Sequence, residues 1–239
     1  MPPSDMAFRP TLRAMIVVVP ALIFLLGLGT WQVQRLSWKN DLIQTRTERI
    51  VAVPMSMADA MSTLSPEAIE YRPVRVSGDL RTGNAFRLLN RVHAGKQGFH
   101  VVVPMTLDEG RGNVLIDLGW APRDMLDAMP VPRAGKVSLV GYVRAFTAPG
   151  AFLPDNEPAN NNWFHMDEAQ MLATAGLTGG VGFYLEAGPQ AGAVDAYPIG
   201  AVPAVDLRNS HLEYAVTWYG LAAVLAVIFV VFHWRREGA

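Results

Sequence analysis

The sequence predicts an α+β membrane protein in which two transmembrane helices flank an antiparallel, β-rich, barrel-like extracytoplasmic domain. Three observations carry that prediction: an uncharged apolar stretch near each end, a period-two alternation of apolar residues between them, and arginines just outside both stretches.

The first uncharged stretch runs over 14–34 and the second over 214–234. At ~1.5 Å per residue each is long enough for a ~30 Å hydrocarbon core. Pro20 interrupts the first, at a cost that a bilayer tolerates because neighbouring groups re-satisfy the freed carbonyl. Trp31, Trp218, Tyr219 and Trp234 lie in or near the outer parts of the stretches, several of them where interfacial aromatic rings sit. Arg9 and Arg13 precede the first span and Arg235 and Arg236 follow the second, so the positive-inside rule puts both tails in the cytoplasm. The resulting division is a tail at 1–13, a span at 14–34, an outward domain with its stalk at 35–210, a span at 211–234 and a tail at 235–239. A cleaved signal peptide is the competing reading of the N-terminus, with Gly27 and Gly29 as small residues, but the uncharged run continues past Trp31.

Beyond Trp31 the helical period persists, with Leu36, Ile43, Ile50 and Val51 near one face, and predicts a stalk that Pro54 ends. One or two short helices are expected over 55–69, started by Ser65-Pro66-Glu67. From Tyr71 the period becomes two, predicting strands at 71–80, 85–90, 99–107, 113–120, 137–146 and 181–187. Turn residues such as Gly83-Asn84 and Ala94-Gly95-Lys96 separate them, with helical pieces at 123–128 and 167–175 and loops over 148–162 and 188–203.

Composition excludes several functions. Residues 32–210 carry 16 Lys and Arg against 18 Asp and Glu, a net charge of −2 that gives nucleic acid no basic field. The chain has no cysteine, which removes thiolate metal transfer and thiol redox chemistry. It contains no Gly-x-Ser-x-Gly elbow, no phosphate-binding glycine loop and no His-Glu-x-x-His motif. The tails are too short to hold a kinase or cyclase, so a sensor role would require a signalling partner.

Met55, Met57 and Met61 could offer thioethers to Cu(I), or simply pack, with no histidine nearby to support copper. His93, His100 and His165 fall in strands or loops where a structural hydrogen bond is the ordinary role. His233, beside Trp234, reads as an interfacial anchor. His211 opens the second span, where Ser210 and Glu213 have the spacing of a capping box. Helical spacing places His211, Tyr214 and Trp218 along one side with Tyr219 on the flank. An imidazole there can be an axial haem ligand or an interfacial polar group reaching headgroups. A pocket for haem needs a second wall, which the first span offers at Gln32 and Arg35, where Arg35 could pair with a propionate.

The chain carries in order Leu28-Gly29-Thr30-Trp31-Gln32 with Arg35 and Lys39, Tyr71-Arg72 with Val76 and Gly78, and Gly98 with Val103-Pro104-Met105. It continues with Gly119-Trp120-Ala121-Pro122, Pro154-Asp155-Asn156-Glu157-Pro158 with Trp163, and His211-Leu212-x-Tyr214-Ala215-x-x-Trp218-Tyr219. In these motifs, over almost its whole length, it resembles the Surfeit locus protein 1 family in its bacterial form. Two positions depart from the family pattern: Leu118 stands where an Arg is usual, and Ser210 where Asn is frequent.

The resemblance implies a non-enzymatic assembly factor for haem-copper cytochrome c oxidase in the bacterial inner membrane, binding haem a and assisting its insertion into subunit I. His211 matches the position implicated as haem ligand, which implies a site of His211, Tyr214, Trp218, Arg35, Gln32 and Trp31. Implied partners are subunit I, other oxidase subunits, haem a synthase and membrane lipid. The alternative is a cofactor-free scaffold for nascent subunits, with His211 merely interfacial.

Overall fold

A computed structural model describes residues 6–8, 10–189, 197–200, 203 and 209–236, excluding the side chains of Met6, Ala7, Glu109, Arg235 and Arg236. The charges of Arg9, Arg235 and Arg236, and most of the expected 188–203 loop, therefore lie outside the described residues. The chain divides into two units, residues 1–45 with 206–239, and residues 46–205.

The first unit is built on two helices long and apolar enough to cross a membrane. Helix α1, Leu12–Ile50, passes through Pro20 without a break and includes the expected stalk. It stops at Ile50, with a last turn closed by Val51 N–H on Thr47 O, and Pro54 supplies no N–H for Ile50 O to continue it. Helix α5 spans His211–His233. Both apolar segments are almost wholly unburied, which distinguishes them from the core helices of a soluble fold and gives the protein a membrane-associated surface. At the chain ends, strand β1 (Met6–Phe8) pairs antiparallel with β10 (Trp234–Arg236). His233 is buried rather than exposed there, donating from Nδ1 to Phe229 O (2.8 Å) against the rings of Phe8, Phe229 and Phe232.

The second unit is a β-barrel. Strand β2 (Met55–Ser56) leads into α2 (Met57–Thr63) and α3 (Pro66–Ile69), capped by Ser56 and Ser65 respectively. Strands β3 (Pro73–Leu80), β4 (Phe86–His93), β5 (Lys96–Leu107), β6 (Asn113–Pro122) and β7 (Gly135–Ala145) follow. After them come β8 (Asn162–Trp163), α4 (Glu168–Thr174) and β9 (Gly180–Ala187). The order β3-β7-β9-β6-β5 closes because β3 also pairs with β5, through Gly78↔Leu107 to Leu80↔Met105.

The expected antiparallel pairing holds for β3–β7, β7–β9, β5–β6, β4–β5 and the closing β3–β5 pair, while β6–β9, β2–β3 and β4–β8 are parallel. The hairpins β4–β5 and β5–β6 are antiparallel through short turns, whereas β6 reaches β9 through a long connection that holds β7, β8 and α4.

Alternation sorts the side chains of β6. Val114, Ile116 and Leu118 join Val76, Phe99, Val101, Val103 and Leu185 inside the barrel. Leu115 faces outward into a second core with Phe86, Leu88, Val102, Trp163, Met171 and Leu172, which α4 covers. The two faces change over at a bulge, where Val101 pairs Gly119 and Val102 pairs Asp117. Gly119 has φ +114°, and a Cβ there would collide with the Ile199 carbonyl, so glycine is required. Met57 lies in the barrel core with Met55 packed against it, consistent with methionine as filler.

Candidate functional site

In the first unit, α1 meets α5 and the residues leading into it through polar contacts and a close approach. The Thr30 and Tyr219 hydroxyls are 3.1 Å apart, and Asn209 Nδ2 donates to Asn40 Oδ1 (2.8 Å). His211 Nδ1–H donates to Gln32 Oε1 (2.7 Å). The ring of Tyr219 lies against Gly29, where a Cβ would sit 2.8 Å from a ring carbon. A small residue at this point lets the helices approach, as membrane helix pairs require.

Gln32 is only 8% exposed, so its amide is a buried polar group satisfied by the imidazole. His211 Nε2 has no partner among the described residues. Ala215 and Ala222 are buried on the same stripe of α5, and Trp218, between them, is half-buried. The Trp218 Nε1–H is shielded from solvent and has no acceptor among the described residues. An orphan donor of this kind costs about 1–3 kcal/mol unless something supplies an oxygen.

The remaining expected site residues lie around this stripe. Tyr214 is 55% exposed and belongs to its flank, so Tyr219 rather than Tyr214 is the tyrosine that packs on α1. Trp31 is exposed, and Arg35 does not share the Gln32 contact: its guanidinium stacks between Trp31 (5.9 Å) and Trp38 (5.3 Å). The capping box is corrected as well. Ser210 occupies the N-cap with ψ near 5°, and its side chain makes no cap hydrogen bond; only its carbonyl receives Tyr214 N–H (3.3 Å). The hydroxyl accepts well from an extended N-cap backbone, and this backbone is not extended.

Among the described residues no cluster of three His, Asp or Glu side chains is placed to hold a metal ion. The barrel histidines have structural contacts: His93 stacks on Trp120, His100 Nδ1–H donates to Asp117 Oδ2 (2.7 Å), and His165 meets Asn156 (3.3 Å).

The residues that sequence reasoning missed form a charged row on the outer face of the barrel. Asp117 lies in register with Glu186, and Arg144 bridges to Glu186 (3.1 Å). Burial and the neighbouring Asp117 charge push the Glu186 carboxyl above the usual range, while Arg144 and His100 pull it back. Burial opposes the Arg144 charge, but Glu186, Tyr184, Tyr71 and Glu70 outweigh it, and its pKa rises. The two shifts differ in sense: anionic neighbours hold Arg144 charged, whereas burial, the largest influence on Glu186, outweighs the Arg144 cation and favours its neutral form. Burial also raises the Tyr184 phenol well above its ordinary value. Arg144 then stacks on Tyr71 (4.6 Å), whose ring also receives Arg46 from the end of α1 (4.8 Å). Tyr71 has φ +69°, a left-handed backbone that is costly for a residue with a Cβ. The available signal was Asp117 itself, a carboxylate inside the apolar run Val114-Leu115-Ile116 and Leu118.

Comparison with known proteins fits this arrangement. The model of the family described as the SURF1 family matches residues 19–223, which reach from the first apolar segment through most of α5. The mouse protein named Surfeit locus protein 1 is 32% identical over 236 residues, covering 91% of this chain and 74% of that protein. The human protein of the same name is 32% identical over 237 residues, covering 91% and 76%. A SURF1-like protein of Drosophila melanogaster is 30% identical over 243 residues, covering 93% and 76%. On the extent of these matches, the chain belongs to the SURF1 family.

Proposed function

We propose that the chain is an assembly factor for haem-copper cytochrome c oxidase, that it carries haem a as cargo at the α1–α5 pair, and that it assists insertion into subunit I. Membership of the SURF1 family supports the oxidase-assembly role. The observation that carries the haem reading is the pairing of His211 with buried Gln32, which, among the described residues, leaves Nε2 without a partner on the stripe that also holds the Trp218 N–H without an acceptor.

The residues fit that cargo. His211 Nε2, which has no partner among the described residues, would ligate the iron. Haem a has peripheral oxygens, and one of them would satisfy Trp218 Nε1–H. Arg35, held between Trp31 and Trp38, offers a guanidinium for a propionate, and Tyr214 offers an exposed ring at the edge. The chemistry that bound haem supplies is exercised in the oxidase; here the chain binds, orients and releases it. The family resemblance implies a bacterial inner membrane, and the charge rule orients both tails to the cytoplasm and the barrel to the periplasm, where it would meet subunit I, other oxidase subunits and haem a synthase.

The second reading is a cofactor-free scaffold. It is favoured by the loop before β8, where Phe152 is fully exposed and Leu153 half-exposed beside a stretch stitched by Asn156, Glu157, Asn160, Asn161 and Asn162. An ordered loop presenting apolar side chains suits protein docking. Complementation of a deletion strain separates the two. On the haem reading the wild-type gene restores haem a to the purified oxidase, and His211→Ala leaves that haem content as low as in the deletion strain. Full restoration by His211→Ala favours the scaffold.

A further inference from the structure

Among the described residues of the first unit the buried polar side chains are Gln32 and His233, and Gln32 directs its amide oxygen to His211 Nδ1 at 2.7 Å. A carbonyl oxygen can only accept, so Nδ1 carries the proton, and in the neutral ring this leaves the Nε2 lone pair available. Metal-binding imidazoles generally donate this second N–H to a carboxylate or a backbone carbonyl, and a carboxylate increases the electron-donating power of the ring. A side-chain amide is neutral. It fixes the tautomer and the ring orientation as a carboxylate would, without adding negative charge to the ligand.

We propose that Gln32 is the positioning residue of the site: it holds His211 as the Nδ1–H tautomer and, being uncharged, keeps Nε2 an exchangeable rather than a tenacious ligand. This rests on the haem reading above. A carrier must bind its cargo and then give it up, and the neutral acceptor serves the second requirement. The surroundings amplify the choice. In a low-dielectric, largely apolar helix pair a hydrogen bond to Nδ1 is stronger than in water, and so is the effect of placing a charge there.

Two measurements test this on the full chain in lipid nanodiscs, with circular dichroism confirming that each variant is folded. The first needs no haem. Long-range proton–nitrogen correlation spectra of 15N-histidine protein, with His211 assigned by its loss in His211→Ala, should show Nδ1–H in the wild type and Nε2–H gained in Gln32→Leu. An Nε2–H ring in the wild type, or an unchanged ring in Gln32→Leu, overturns the positioning role. The second loads the chain with haem a and follows transfer to apomyoglobin. Gln32→Glu should release haem about tenfold more slowly than the wild type, the lower range for changes to an outer-shell partner. Equal rates overturn the release role. Failure of the wild type itself to take up haem a overturns the haem reading instead, and leaves the tautomer result standing by itself.

Discussion

His211 Nδ1 lies 2.7 Å from Gln32 Oε1, joining two side chains from opposite ends of the chain across the pair of membrane-length helices. The contact depends on the helices approaching closely, which Gly29 permits beneath Tyr219. Several expectations follow from this pair and from the charged row of the barrel.

Gly29→Val forces the Tyr219 ring away and separates the helices, because even the Cβ would stand 2.8 Å from a ring carbon. The chain has no cysteine, so Asn40→Cys and Asn209→Cys introduce its only thiols at a contact now made by the two asparagines. A short bifunctional thiol reagent should bridge them efficiently in an otherwise wild-type chain, and several-fold less in the Gly29→Val background. Equal bridging would show that the approach at Gly29 does not hold the helices together.

Ser210→Ala should cost under about 0.5 kcal/mol, since the hydroxyl makes no cap hydrogen bond. Asp167→Ala should cost about 1 kcal/mol, because its carboxylate accepts from Gln170 N–H (2.9 Å) at the start of α4. Thermal denaturation of the two variants side by side checks the contrast.

Arg144→Met removes the cation from Glu186 and from the face of Tyr71. Destabilisation of about 1–3 kcal/mol is expected, with part of it recovered in the Arg144→Met, Glu186→Gln double variant because no buried charge is then stranded. A urea denaturation cycle over the four proteins measures the coupling.

Glu186 also sets a pH dependence. Its folded-state pKa is raised, chiefly by burial, so the native protein holds the proton more tightly than the unfolded chain does. Its stabilising contribution is fully present below the ordinary carboxylate value of 4.5 and is lost as pH rises through the higher folded value. The stability of wild type minus that of Glu186→Gln should therefore fall as pH increases above about 4.5. A gap that grows with pH would mean that Arg144 lowers this carboxyl instead.

Much of the architecture was legible in residue periods. Alternation located all six principal strands, because Val114, Ile116 and Leu118 must face one way and Leu115 the other. The parallel β6–β9 pair was not legible, since no local signal records which distant strand lies alongside. Strands β2 and β8 were missed because two residues carry no period. At the helix pair, helical spacing set Tyr214 beside His211 and Trp218 with Tyr219 on the flank, whereas the small residue at Gly29 on the other helix is what brings Tyr219 against α1. The spacing that suggested a capping box at Ser210 was correct in letters only, because the cap also needs an extended backbone.

The most direct test is the absorption spectrum of the chain purified after co-expression with haem a synthase, wild type against His211→Ala. The account predicts a haem a spectrum in the wild type and its loss, or a clear change of axial-ligand signature, in His211→Ala. Equal amounts of spectrally identical haem a in both would contradict it.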